Sequence, residues 1–319
     1  MREIGGYFEL ELPNRSEILM HSECRLVNSG RHAFEYILRA FGKRVKKVWL
    51  PFYTCEVMLQ PLKRLGIDYV LYHVNENLEI AEAPHLKEGE FIVANNYFGI
   101  KDKYIEELSQ IYRKKLIIDN AQAWYASELY DSSSFYSPRK FFGLPDGGAA
   151  YVCESIDIDL EIDMSYERFS HLIKRIDIGA SSGYTDFRVN SSSLSVDSLK
   201  GMSILTKRLL SSIDFEFAKS RRLDNYEYIA NILNGSNALD LPDLDSFACP
   251  LVYPYFSEDS SLRQRLIDNK IFVATYWPNV LRDYDDSIDY KLAKNIIPIP
   301  IDQRYDKCDM DIILSIITQ

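Results

Sequence analysis

The chain has 319 residues, 46% of them hydrophobic and 26% charged, a balance typical of soluble globular proteins and ample for two unequal lobes. A net charge of −10 argues against a nucleic-acid phosphate backbone as partner, and no apolar run approaches the roughly 20 residues of a membrane helix. Five cysteines, dispersed singly with no CxxC pair, point to reduced thiols and a cytoplasmic location, and five equally scattered histidines give no spacing for a metal site.

The N-terminal "MREIGGYFELELP" alternates polar and apolar residues and reads as a strand, not as a signal peptide. Asn28-Ser29-Gly30 then precedes an amphipathic helix, "RHAFEYILRAFG". Here Gly30 permits close backbone approach, and the free amides of a helix start suit a phosphate; plain N-capping by Ser29 explains the same residues. "VKKVWLPFY" is a strand entering a loop, "CEVMLQPLKRLG" a helix closed by Gly66, and "IDYVLYHV" a strand. "EFIVANNYFG" is an apolar run ending in a polar loop, followed by a helix over Lys103–Tyr112 and by the apolar strand "KKLIIDNAQA", which stops at Asp119. Such alternation predicts a mostly parallel sheet covered on both faces, with ligands beyond the carboxyl ends of the strands, where Asp119, Asn95–Asn96 and Pro51–Thr54 fall.

The second half reads differently. A long helical stretch runs from "SLSVDSLKGMS" to "NYEYIANIL". Strands are expected at "ACPLVYPYF", "IFVATYW" and "IIPIPI", with helices near Ser261–Asn269 and at the C-terminus. These make a small α+β lobe over residues 206–319, after a larger lobe over 1–205; the N-terminal strand is expected against the small lobe.

A carboxylate directly after a buried strand needs a partner, and a protonated pyridine nitrogen is one with a chemical purpose, although helix capping or an arginine would also satisfy Asp119. Gln122 could reach the same ring from that loop. In "SSSFYSPRKFFGLPDGGAAYV", Lys140 lies between a serine-rich approach and the Gly147–Gly148 pair that opens another apolar strand; an amine in a confined pocket can form an imine with an aldehyde. Ser137 offers a hydroxyl to a phosphate on the same ligand, and Arg139 is the competing cation.

These blocks, "NSGRHAFEYIL", "WLPFYTCEVMLQPLKRLG", "LIIDNAQAWYA" and "SFYSPRKFFGLPDGGAAYV", resemble the DegT/DnrJ/StrS family of pyridoxal-phosphate (PLP)-dependent nucleotide-sugar aminotransferases. The resemblance is densest over residues 26–153. It continues through "GYTDFRVN", "SRRLDNYEYIANIL" and "RQRLIDNKIFVATYWP".

The resemblance implies the fold-type-I α/β architecture and PLP as cofactor. Asp119 would face the pyridine nitrogen, Gln122 the ring hydroxyl, and Lys140 would carry the Schiff base. Ser29, Gly30 and Arg31 would form the phosphate turn, with Arg31 where relatives usually have Thr, and Tyr53 would stack on the ring, with Cys55 at the ungapped position. It implies a homodimer in which Arg188 and Asn190 reach the neighbouring site, and transfer of an amino group from glutamate to a keto-sugar. Lys140 speaks against the dehydratase branch, where a histidine replaces it. Phe135 stands where relatives place the phosphate serine, so Ser137 or Ser134 would substitute. The other readings are a non-catalytic homologue and a PLP enzyme of another reaction type.

Overall fold

The computed structural model describes residues 6–15, 21–154, 158–244, 248–282 and 285–319. The larger layer is built from β1 (Arg25–Val27), α1 (Gly30–Phe41), β2 (Lys47–Pro51), α2 (Leu59–Leu65), β3 (Asp68–Tyr72), β4 (Glu90–Asn95), α3 (Asp102–Tyr112), β5 (Leu116–Asn120), β6 (Ser133–Tyr136) and β7 (Gly148–Tyr151). Then come α4 (Ser170–Asp177), α5 (Ala180–Val196), α6 (Ile204–Ser211), α7 (Phe215–Leu233), β8 (Val252–Phe256), α8 (Leu262–Asp268), α9 (Ile288–Asn295), β9 (Ile296–Pro300) and α10 (Lys307–Ile317).

Seven strands form one sheet in the order β1-β7-β6-β5-β4-β2-β3. The pairings from β3 to β6 are parallel, and β7 runs against both of its neighbours. The central strands are apolar on both sides, as parallel strands between two covering layers must be. Side chains alternate along each strand and so divide into two cores. Val48, Val93, Ile117 and Phe135 meet α1 on one face. Ile92, Ala94, Ile118 and Tyr136 meet the C-terminal part of the chain on the other, in an apolar cluster that reaches Met310 and Ile316. Burying each such side chain contributes roughly 1.5–3 kcal/mol.

Local chemistry fixes the ends of the elements. Ser29 caps α1 by accepting the His32 N–H, and Gly66 ends α2 in the left-handed conformation at φ 66°. A capping box of Asp306 and Asp309 starts α10.

Several expectations from the sequence differ from the structure. Residues 6–15 form no strand: Tyr7 and Phe8 are exposed, and the segment lies beside α6 through Glu9–Arg208 and Arg15–Asp214 ion pairs. The first five residues of that expected strand lie outside the described residues. The long helical stretch is interrupted between α5 and α6, because the backbone there serves the sheet. Asn28 N–H donates to the Lys200 carbonyl at 3.0 Å and Met202 N–H to that of Leu26 at 3.2 Å. "IFVATYW" makes no ladder, since β8 and β9 pair only with each other among the described residues. The expected lobe boundary at Leu205 falls at the start of α6.

Candidate active site

The carboxyl ends of β4, β5 and β6 and the start of α1 converge on one side of the sheet. In strand register, Asn95 lies beside Asp119 and Asp119 beside Phe135. Alternation turns Phe135 into the core, where it packs on Phe34 with ring centroids 5.5 Å apart. Ser134 points to the other face and donates to the Tyr136 hydroxyl at 3.1 Å. Ser137, the next residue of the chain, stands against Gly30: a Cβ built on Gly30 would come within 3.1 Å of the Ser137 Cβ and 3.4 Å of its Oγ. The α1 N-terminus and the residue ahead of the Lys140 turn thus enclose a small cradle that a larger residue at position 30 would fill.

Gly148 holds this cradle to the sheet. Its own Cβ would lie 2.3 Å from the Ser29 carbonyl oxygen, so only glycine allows β7 to run this close to the turn.

Asp119 is buried, and burial raises its carboxyl pKa; the Lys140 charge and the Ala121 N–H, bonded to Oδ1 at 2.8 Å, act in the opposite direction. Lys140 ends the short 3-10 turn Pro138–Lys140 with its side chain exposed to a cleft of about 570 Å³, shared with Arg139, Phe169, His171, Tyr184 and Arg304.

Gln122 is buried, and its Oε1 accepts the Phe98 N–H at 3.0 Å, which fixes the orientation of the amide. Its Nε2 is then a buried donor with no partner among the described residues. Asn95 is similar: its Nδ2 donates to Thr54 Oγ at 3.0 Å, and its Oδ1 has no partner among those residues. Buried polar groups are nearly always satisfied, so unfilled valences beside a buried carboxylate mark a place for a polar ligand.

Two guanidinium groups, Arg31 and Arg139, come from the residues next to the cradle. Burial, the largest effect, presses that of Arg139 down to about 10 and leaves it cationic at neutral pH; the Asp146 charge opposes this, while Arg31 and Arg168 act with it, Arg168 itself being paired with Asp163 and Asp197. Arg31 also donates to Gln60 at 3.0 Å. A helix start, an adjacent serine and clustered guanidinium groups are the elements of an anion site.

His32, in the first turn of α1, adds a pH dependence. Burial pushes its pKa down to about 4; the charges of Arg31 and Arg64 act in the same direction, and Glu35 and the Asp197 carbonyl oppose them. A histidine depressed from 6.5 stabilises the fold fully above that pH, and the contribution is lost as pH falls through the window from 6.5 to about 4. Replacing His32 with Gln is expected to flatten the unfolding free energy across that window by roughly 3 kcal/mol. Urea titrations of both proteins at successive pH values measure this; parallel profiles would refute it.

Two site expectations change. Tyr53 is completely buried, with its ring against Trp277 (4.6 Å between centroids, edge-on) and Tyr97 (5.5 Å), in the core of the sheet face opposite Phe135. It presents no open face for stacking; Cys55, near enough to Arg31 to influence its charge, lies closer to the cradle. Asn190 is buried, and its Nδ2 donates to the Pro145 carbonyl at 2.8 Å, tying α5 to the loop before β7. Arg188 is exposed on α5 and does not line the cleft. The sequence reading missed Thr54 as the partner of Asn95, and it missed His171. A polar residue just past a strand end signalled Thr54, but nothing in the spacing signalled His171.

The fold is shared with solved structures of aminotransferases. Solved structures sharing it include the sugar aminotransferase CalS13 from Micromonospora echinospora (14% identity, 92% of this chain and 86% of that one, TM-score 0.59). NtdA from Bacillus subtilis with bound cofactor PMP aligns at 14% identity over 93% of this chain and 73% of its own, with a TM-score of 0.63. A DegT/DnrJ/EryC1/StrS aminotransferase from Brucella abortus aligns at 14% identity over 95% and 91% of the two chains, with a TM-score of 0.57. No protein-family model matches the sequence, and no curated protein matches it. Among the described residues, no helix is long and apolar enough to cross a membrane.

Proposed function

We propose that this protein is a PLP-dependent aminotransferase that transfers an amino group, with glutamate as donor, to a nucleotide-linked keto-sugar, and that it works as a cytoplasmic homodimer. The observation that carries the reading is the convergence of Lys140, the buried Asp119 and the unpartnered Gln122 amide beside the Gly30–Ser137 cradle. The residues would fit the cofactor: a buried carboxylate, Asp119, for the ring nitrogen, the unpartnered Gln122 Nε2 for a ring oxygen, and the Gly30–Ser137 cradle for the phosphate.

When bound, PLP supplies the electron sink that lets a donor's Cα–H bond ionise. Asp119, ionised, would hold the proton on the ring nitrogen. Gln122 Nε2 would donate to the ring oxygen. The amides of the α1 start, with Ser137 Oγ, would grip the phosphate inside the arginine cluster. Lys140 Nζ would take the proton from the donor Cα and return it to the neighbouring cofactor carbon. The cationic cleft at Lys140 suits an acidic donor and a phosphorylated acceptor.

The exposed Ile173, Ile176, Tyr184 and Phe187 of α4 and α5 border the same cleft and support pairing with a second copy, against which Arg188 would lie. The dispersed free cysteines suit a reducing compartment. The test is reconstitution. Adding PLP should give a visible absorption band, and borohydride should fix the cofactor on Lys140. Amino-donor screening against nucleotide-linked keto-sugars should then give turnover. A chain that stays colourless would overturn the reading; a coloured chain active only in elimination would reassign the reaction.

A further inference from the structure

On the side of β6 that carries Tyr136, His21, Cys24 and Glu128 bring three metal-ligating atoms within 4.8 Å of one another. His21 and Cys24 lie in the turn that leads into β1, where Cys24 N–H donates to the His21 carbonyl at 2.9 Å. Glu128 comes from the loop after β5. The His21 side chain is only 3% exposed and that of Glu128 24%.

The imidazole is held rigidly. Its ring stacks on Tyr136 at 3.9 Å and meets the edge of Trp124 at 4.6 Å. Its Nε2 lies 2.6 Å from the Trp124 carbonyl oxygen, which can only accept, so Nε2 carries a hydrogen. That arrangement orients metal-bound histidines, because it directs the Nδ1 lone pair toward the ligand set. Here Nδ1 faces Glu128 Oε1 at 2.5 Å, and Cys24 Sγ is 3.4 Å from the same oxygen. Two lone pairs cannot face each other at that distance without a cation between them. A proton or a metal ion can fill this role. Burial works against ionising Glu128, but the hydrogen bond and charge of His21 outweigh it and hold its carboxyl below the ordinary value. The Cys24 thiol is pushed up by burial and then by Glu128, so it stays protonated until a metal displaces the proton.

We propose that His21 Nδ1, Cys24 Sγ and a Glu128 carboxylate oxygen bind one zinc(II) ion, which clips the approach to β1 onto the loop after β5. Imidazole, thiolate and carboxylate together select zinc over the hard cations, and three protein ligands leave a fourth position for water. Zinc bonds of about 2.0–2.3 Å place tetrahedral ligands roughly 3.2–3.8 Å apart. The Nδ1–Oε1 gap therefore has to open by only about 1 Å, which the half-buried Glu128 can provide. The step is balanced: the zinc ion replaces the proton shared by His21 and Glu128 and the thiol proton of Cys24, and both leave to solvent.

Cobalt(II) is the probe. Chelator-treated, full-length protein titrated with Co2+ should develop a thiolate-to-cobalt charge-transfer band that saturates at one ion per chain. Zn2+ should abolish the band, release about two protons per chain in weakly buffered solution and raise the Tm. Cys24→Ser should abolish the band, and Glu128→Gln should weaken binding at least tenfold. Cys308→Ser, at an exposed cysteine remote in sequence, should leave the band intact. No band, a band that survives Cys24→Ser, or one that disappears with Cys308→Ser would overturn the proposal. Because the readouts are spectral and thermal, they stand whether or not the protein is an aminotransferase.

Discussion

Lys140→Ala is expected to lower turnover by about 10⁴-fold or more, because under the proposed function it would remove both the amine that anchors the cofactor and the base that moves the substrate proton. The variant should also lose the visible absorbance that borohydride bleaches in the parent, while its unfolding free energy stays within about 0.5 kcal/mol, since the side chain is exposed. Lys140→Arg separates charge from nucleophilicity: it keeps a cation near Asp119 but not an amine able to attack an aldehyde. Both variants should be equally inactive. Full activity in either one, with an unchanged spectrum, would remove Lys140 from the reaction.

Asp119→Asn should lower kcat on the order of 10²–10³-fold, comparable to removing a preorganised charge from other active sites. The sign on stability should be opposite. In the cofactor-free chain the buried carboxyl is already pushed up by burial, with only the Lys140 charge and one amide in compensation. The isosteric neutral residue should therefore leave the apoprotein as stable as before, or more so, by up to about 1 kcal/mol. A residue retained for structure would show the reverse, with lost stability and little change in kcat. Denaturation of the apoprotein beside kinetics of the reconstituted enzyme distinguishes the two. Weaker PLP affinity in Asp119→Asn alone would agree with the assigned pairing.

What could be read from the sequence follows a physical division. β5 was visible because a strand covered on both faces must be apolar throughout, and Asp119 stood out as the first charge at its end. The α1 start was visible because capping is local, and the Gly66 stop likewise. Ser137 could not be separated from Ser134 by spacing alone; the alternation of β6 separates them, sending Phe135 toward α1 and Ser134 toward Tyr136. Long-range contacts left no trace in a single chain. The break before α6 is caused by backbone pairing with Leu26 and Asn28, far upstream. Tyr53 is withdrawn into the core by Trp277, more than half the chain away. The scattered histidines and cysteines gave no metal spacing, because Glu128 joins His21 and Cys24 only through the sheet.

The close passage of Gly148 beneath Ser29 has a consequence for the order of events during folding. The turn at Ser29–Gly30 is secured from far along the chain, by Gly147 N–H bonding the Asn28 carbonyl at 2.9 Å and by Lys200 and Met202. These contacts have high sequence separation, and closing such loops costs entropy before any contact repays it. Although the turn is made of residues near the start of the chain, it cannot reach its final shape until β7 and the segment ahead of α6 have docked. Under the proposed function, phosphate capture would therefore be a late event, and a growing chain on the ribosome would be unable to hold the cofactor until well over half of it has emerged.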